Sequence, residues 1–136
     1  MPILGIDYGD RKVGLAISDD KHKLAMPLSI IQNTGDKNLA AEIKQLCQKD
    51  NIEKVVVGLP LSKAPLKKDL QNEQIQKVIK FIKLLQKNFP IKVVTEDERM
   101  TSKMAGGLLR SQNQKTKDDD AVAAMLILQT YLDKHN

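Results

Sequence analysis

The sequence predicts an α/β protein built on one mixed sheet of five strands, with helices on both faces. Three apolar segments joined by short connections open the chain and predict three adjacent antiparallel strands. Two later apolar runs alternate with helical patterns, as parallel strands joined by helices do. Because such crossovers are right-handed, strand one lies beside strand four, and the predicted strand order is 3-2-1-4-5. A length of 136 residues fits a single domain over residues 1–136.

The first two strands form a hairpin that carries an acid at the end of its first strand. The apolar run 3–7 ends in Asp7, a turn follows over residues 9–12, and a second apolar run covers 13–17. An ionised carboxylate beside a core is costly unless it is paired or binds a metal. Asp7 is therefore the first candidate for chemistry. At the end of the second run, Asp19 reads as a strand-end or turn residue.

The middle of the chain predicts an edge strand followed by a helix. Residues 24–31 form the third strand, in which Pro27 indicates a sheet edge or a bulge. The turn at 33–36 can cap a helix whose apolar positions recur at helical spacing from Leu39 to Cys47. Cys47 is most simply a core residue.

The second half continues the alternation of strands and helices. We expect strands at 54–58 and 91–95, a long helix at about 69–88, a short helix at about 103–110, and a last helix that starts in the acidic run 118–120. Loops are expected at 62–68 and 111–117. The long helix carries Lys77, Lys80 and Lys87 near one another, and a solvated helix face explains such a charge run.

Composition favours a nucleic-acid partner. The formal net charge is +5 and the pI is about 9.3, which suits an acidic ligand. Aromatic residues make up only 3% of the chain, so base stacking is not expected as the main mode of recognition. No apolar run approaches the roughly 20 residues that span a bilayer. We therefore expect a cytoplasmic protein with no membrane partner, and the single Cys47 agrees with a reducing compartment.

Three groups of acids stand where chain segments meet the predicted sheet. Asp7 ends strand one, an Asp-Glu-Arg tripeptide at 97–99 follows strand five, and Asp120 opens the last helix. The small residues Ala123 and Ala124 would let that helix lie close to the sheet. Converging carboxylates suit a hard divalent cation with oxygen ligands, and two Mg²⁺ or Mn²⁺ ions about 4 Å apart can catalyse phosphodiester cleavage.

Each acid also has a simpler structural explanation. Asp7 can close the hairpin turn, Glu98 can pair with Arg99 or Arg11, and the triple aspartate can complement a helix dipole. His22 and His135 are isolated in the sequence, so a zinc site is not expected.

Four motifs in order make the sequence resemble the YqgF family, also called RuvX-like, of pre-ribosomal-RNA nucleases and Holliday-junction resolvases. The resemblance covers essentially the whole chain. The motifs are LGIDYG with R-x-V-G-x-A-x-S-D over Leu4 to Asp19, VVGLP over Val56 to Pro60, DERMTS over Asp97 to Ser102, and D-x-x-A-A-x-x-I-L-Q-x-Y-L over Asp120 to Leu132.

The resemblance implies a ribonuclease-H-like fold and a metal-dependent nuclease. It assigns Asp7, Glu98 and Asp120 as the catalytic, metal-binding acids, with Mg²⁺ or Mn²⁺, two ions in all, as the cofactor. Asp118 and Asp119 are extra acids that can substitute for Asp120 or add to it, whereas Glu96 stands where relatives need no acid. Where relatives usually carry a glycine beyond the Gly-Leu-Pro turn, this chain has Ala64-Pro65, so substrate contacts of that loop do not transfer.

The expected substrate is structured nucleic acid, with the 16S ribosomal RNA precursor preferred and branched DNA as the alternative. The chain would act as a monomer or a homodimer. The Asp-x-Gly turn is also similar to the phosphate hairpin of actin-like ATPases and sugar kinases, and a non-catalytic binding module is a further alternative. The residues expected to contact phosphates are Arg11, Lys63, Lys67, Lys68, Arg99, Arg110, Lys115 and Lys117; for Arg11 a salt bridge, and for the loop lysines simple solvation, are the alternatives.

Overall fold

The computed structural model describes residues 1–59, 73–97 and 119–135 of the chain. In this part the chain forms strands β1 (Ile3–Asp7), β2 (Lys12–Ser18), β3 (Ala25–Gln32), β4 (Lys54–Leu59) and β5 (Lys92–Asp97), and helices α1 (Asp36–Lys49), α2 (Glu73–Asn88) and α3 (Asp119–Lys134).

The five strands form one mixed sheet in the order β3-β2-β1-β4-β5. The two hairpin connections make β1, β2 and β3 antiparallel, while β4 and β5 run parallel to β1. The predicted sheet and its order are therefore confirmed. The expected short helix at 103–110, the first residues of the long helix at 69–72, and the loops at 62–68 and 111–117 lie outside the described residues.

Two apolar layers enclose the sheet, and β1 shows how its residues divide between them. Leu4 and Ile6 point into the core beneath α1 and α2. Ile3 faces α3, and a Cβ atom on Gly5 would point at α3. Since side chains alternate along a strand, Asp7 continues the series that faces α3. The end of the central strand thus places a carboxylate on the α3 side of the sheet.

The edge strand β3 carries the irregularity that Pro27 predicts. Ala16 lies opposite Pro27 and Leu15 lies opposite Ser29, so Leu28 is an extra residue in the ladder. Proline has no N–H to donate, and an edge position with a bulge accommodates it.

Helix α1 begins at Asp36, within the turn at 33–36 that the sequence predicts to cap it. Its N-cap is Gly35, which makes no side-chain capping hydrogen bond, while Asp36 in the first turn complements the helix dipole. At the other end of α1, Cys47 is 1% exposed and lies in the core, as predicted. No helix in the described part of the chain has the length and apolar character required to cross a bilayer.

Candidate active site

Asp7 lies at the carboxyl end of the central strand, half-buried, and directly opposite Gly14 of β2. In an antiparallel pair, directly opposed residues project from the same face of the sheet. The direction in which a Cβ atom would leave Gly14 is therefore also the direction of the Asp7 side chain.

The first turn of α3 lies directly over Gly14. A Cβ atom built on Gly14 would stand 1.9 Å from the carbonyl oxygen of Asp120 and 3.0 Å from the amide nitrogen of Ala121. Only a residue without a side chain fits beneath the helix at this point. The sheet therefore brings Asp7 and Asp120 to the same edge and the same face, as the sequence predicts, although 113 positions separate them in the chain.

A second glycine continues this close approach along α3. A Cβ atom on Gly5 would meet the Leu128 Cβ at 2.8 Å and the Ala124 carbonyl oxygen at 3.0 Å. Of the two alanines expected to allow close packing, Ala124 is fully buried in this contact, whereas Ala123 is only half-buried. Gly5 and Gly14, whose role the sequence did not predict, therefore determine together with Ala124 how closely α3 packs on the sheet.

The hairpin turn beside Asp7 is held by Asn33. Its side-chain amide donates to the Gly9 carbonyl oxygen at 2.8 Å, and its backbone N–H donates to the Arg11 carbonyl oxygen at 2.9 Å. The Asn33 Oδ1 atom accepts from the Gly35 N–H at 3.1 Å. Arg11 is exposed, so the clamp fixes the backbone of the turn while the guanidinium stays open to a ligand.

Tyr8, the residue after Asp7, contacts both helices on the opposite face of the sheet. Its hydroxyl donates to Asp36 Oδ1 at 2.6 Å, and its ring centroid lies 5.2 Å from that of Phe81. Burial, followed by the hydrogen bond to Asp36, raises the pKa of Tyr8 above its ordinary value. The hydroxyl therefore remains a proton donor. Its contacts hold the end of β1 against α1 and α2.

Glu96 is engaged elsewhere in the structure. It is 7% exposed, and its Oε1 atom accepts from Lys134 Nζ at 2.5 Å. A carboxylate held in this way by the last turn of α3 has a structural role. Glu98, the acid that the resemblance prefers, lies outside the described residues.

Several predicted site residues lie outside the described residues, among them the third acid. No group of three His, Cys, Asp or Glu side chains suited to a metal occurs within residues 1–59, 73–97 and 119–135. Asp7 and Asp120 alone still suit Mg²⁺, which is commonly held by one or two carboxylates together with waters and substrate phosphates. The predicted residues outside the described ranges are Glu98, Asp118, Ala64, Pro65, Lys63, Lys67, Lys68, Arg99, Arg110, Lys115 and Lys117.

The two histidines, isolated in the sequence, lie on the wall of one cavity in the structure. They line a cavity of about 120 Å³ together with Lys54 and Tyr131. Lys54 pairs with Ile3 at the start of β1, so the cavity lies at the opposite end of the sheet from Asp7. The Lys54 Nζ atom donates to the Tyr131 hydroxyl at 3.0 Å. The Lys54 ammonium in the lining disfavours a metal ion there, so we assign no zinc site to His22 and His135.

The strand order, with an acid ending β1 and another opening α3, is that of a ribonuclease-H-like protein. Known structures share this fold. T. thermophilus RuvC in complex with a Holliday junction substrate matches 99% of this chain and 96% of its own, with a TM-score of 0.64 and 14% identity. The fowlpox virus Holliday junction resolvase matches 98% of this chain and 99% of its own, with a TM-score of 0.58 and 18% identity. The ribonuclease-H-like fold is thus confirmed.

The chain belongs to the RuvX family, whose sequence profile, described as Holliday junction resolvase, matches residues 1–134. A protein of Rickettsia bellii provisionally named pre-16S rRNA nuclease is 36% identical over 139 aligned residues, covering 99% of this chain and 88% of the relative. The protein with the same name in Rickettsia conorii is 36% identical, over 98% of this chain and 86% of the relative. The resemblance drawn from the four motifs is confirmed, and membership places the chain among the nucleases.

Proposed function

We propose that this chain is a divalent-metal-dependent endonuclease that hydrolyses phosphodiester bonds of structured nucleic acid during processing of the 16S rRNA precursor. The observation that carries the proposal is that the backbone of Asp120 lies over Gly14, the cross-strand partner of Asp7, so that both acids stand at one edge and on one face of the sheet. The provisional name of the Rickettsia relatives supports the substrate. That substrate in turn places the reaction in the cytoplasm.

Asp7, Asp120 and Glu98 are the residues proposed to hold Mg²⁺ or Mn²⁺, two ions in all. Such ions activate a water and stabilise the leaving oxygen in phosphodiester hydrolysis. The positions of the described acids support this assignment, because β1 is packed on both faces and α3 lies in close contact with Gly5 and Gly14. Preorganised ligands lower the cost of assembling the reacting groups.

Arg11 is proposed to bind a phosphate of the substrate next to the acids. Its turn follows Asp7 directly, is fixed by Asn33, and presents the guanidinium to solvent. A guanidinium binds a phosphate through two parallel hydrogen bonds, which orients the backbone as well as attracting it. Lys63, Lys67, Lys68, Arg99, Arg110, Lys115 and Lys117 remain proposed phosphate contacts from the sequence.

Cleavage of a 16S rRNA precursor by the purified protein, with and without Mg²⁺ or Mn²⁺, tests the proposal. Asp7→Asn and Asp120→Asn should each lower the rate by at least about 100-fold, since even supporting residues of metal sites cost 10–100-fold. Glu96→Gln is the matched control: it removes an acid on the same face, yet its amide oxygen still accepts from Lys134. Cleavage by Asp7→Asn at the wild-type rate would exclude the mechanism.

A four-way DNA junction is the second candidate substrate, and the family description favours it. Phosphate contacts carry no base identity, so the same acids and Arg11 serve either backbone. Symmetric cleavage of a junction would require a homodimer, whereas a monomer suffices for the precursor. Parallel assays on both substrates decide between them, and nucleic-acid binding without cleavage of either would identify a binding module instead.

A further inference from the structure

An open groove lies between the first turn of α1 and the second half of α2. Asp36, Lys37, Lys80, Leu84 and Lys87 line it, and its volume is about 570 Å³. This is the size range of ligand-binding clefts. The groove lies on the face of the sheet opposite α3, and none of the residues assigned above to metal or phosphate lines it.

The lining is cationic over an apolar floor. Three lysines and one aspartate give it a net charge of +2, and the aspartate is already bonded to the Tyr8 hydroxyl. Leu84 lies between the lysines, and lysine side chains can rest their stems on apolar surface while the ammonium groups stay in water. A site of this kind suits a polyanion whose charges lie along the rim of the groove.

The described side chains of helix α2 carry a net positive charge. Its single acid in the described residues, Glu73, lies in the first turn. From Lys80 to Lys87 the helix advances by seven residues, or roughly 10 Å. A nucleic-acid duplex carries one negative charge per about 1.7 Å of its axis, so this length faces several phosphates. Of the four lysines of α2, Lys80 and Lys87 line the groove, whereas Lys77 and Lys83 do not.

Two contacts link the walls of the groove to the edge that carries Asp7. Lys77 Nζ lies 3.3 Å from Asp10 Oδ1, which joins α2 to the hairpin turn next to Arg11. On the other side, Asp36 in the groove lining holds the hydroxyl of Tyr8, the neighbour of Asp7. A backbone that crosses the carboxyl edge at Arg11 therefore reaches the groove without leaving the protein surface.

We infer that this groove binds the sugar-phosphate backbone of the nucleic acid whose other part lies at the acidic edge, with Lys80 and Lys87 as its principal phosphate contacts. The inference rests on the proposed function for the identity of the partner. It assigns to α2 a role in affinity and substrate length, distinct from the hydrolysis performed at Asp7.

The experiment measures the dissociation constant for a fluorescent fragment of the rRNA precursor as a function of KCl, in the Asp7→Asn background so that nothing is cleaved. Adding Lys80→Gln and Lys87→Gln should weaken binding about tenfold near 0.1 M salt and lower the salt slope by about 1.5, as expected for the loss of two phosphate contacts. Lys49→Gln with Lys83→Gln is the matched control. It removes two exposed lysines from the same helix pair, one again in a last turn, and should change affinity less than about twofold.

Equal losses in the groove and control variants would overturn the inference, as would no loss in the groove variant. The result is separate from the test of catalysis. If wild-type protein binds the fragment but does not cleave it, the proposed hydrolysis fails while the groove is still judged by its own salt slope. Repeating the titration with a four-way DNA junction shows whether RNA or DNA loses more affinity when the groove lysines are replaced.

Discussion

The carbonyl oxygen of Asp120 lies 1.9 Å from the place where a Cβ atom would stand on Gly14. This contact couples the position of one site acid to the absence of a side chain beneath it. Because Gly14 is also the cross-strand partner of Asp7, a displacement of α3 at this point would separate the two acids from each other. The geometry of the site is thus a packing property of the sheet and the helix.

Gly14→Ala should therefore abolish most of the cleavage activity. The added methyl group must push α3 away from the sheet, and overpacking of this kind costs about 1–3 kcal/mol of stability. We expect a loss of at least about 100-fold in metal-dependent cleavage at a temperature where the variant is still folded, measured together with its unfolding by urea.

Gly35→Ala serves as the control for that experiment. Gly35 has a φ of 120°, and a Cβ atom there would meet nothing within 4 Å. The substitution strains the backbone at the start of α1, so it costs stability, but it leaves α3 in place. Equal activity losses in the two variants would show that general destabilisation, rather than the displacement of Asp120, is responsible.

Lys134→Met should destabilise the fold by leaving Glu96 buried without its partner. Loss of one partner of a buried hydrogen-bonded pair costs about 1–3 kcal/mol, and Lys134 is itself largely exposed, so the lower half of that range is expected. Urea unfolding at neutral pH measures the effect. Combining Lys134→Met with Glu96→Gln should recover part of the loss, because the buried charge is then gone; a double variant less stable than the single one would contradict this.

Asn33→Ala should weaken nucleic-acid binding through the turn that carries Arg11. The substitution removes the hydrogen bonds to Gly9 and from Gly35, so the turn loses its fixed geometry. We expect KM for the precursor to rise several-fold while kcat changes little, since Asp7 is held by β1. In the Arg11→Gln background the same substitution should have almost no further effect on KM, whereas additive effects would show that Asn33 does not act through Arg11.

The thiol of Cys47 should make stability fall in alkaline solution. Burial raises its pKa from 9.0 to about 12, so between pH 9 and 12 the unfolded chain loses this proton while the folded chain keeps it. Stability from this group is complete below pH 9 and declines as the pH rises through that window, by about 1.4 kcal/mol at pH 10. The comparison of urea unfolding at pH 8 and pH 10 should show a steeper decline for wild type than for Cys47→Ala, and equal declines would refute the assignment.

The sequence predicts this fold well because its central strands, β1 and β4, are buried on both faces. Val55, Val56 and Val57 are all fully buried, and such continuous apolar runs identify parallel strands without knowledge of their partners. Asp7 could be found for the related reason that an acid at the end of such a run needs an explanation. The bulge at Pro27 follows from the missing N–H of proline.

What could not be predicted depends on contacts between distant segments. Gly14 in its strand carries no local signal that a helix more than 100 residues later will rest on it. The path of α3 across the sheet likewise determines that Lys134 pairs with Glu96 and that His135 lines the same cavity as His22. Side-chain periodicity gives the face of a helix, but it does not give the depth or angle at which the helix packs.

The position of α3 in the chain also determines when the protein can act. Synthesis proceeds from the amino terminus, so Asp7 and the entire sheet leave the ribosome before Asp120 does. Until the last helix closes over Gly5 and Gly14, the α3 face of the sheet is open and the proposed site has only part of its acids. On the proposed assignment, cleavage would therefore require that α3 has folded onto the sheet, because Asp120 is carried by that helix.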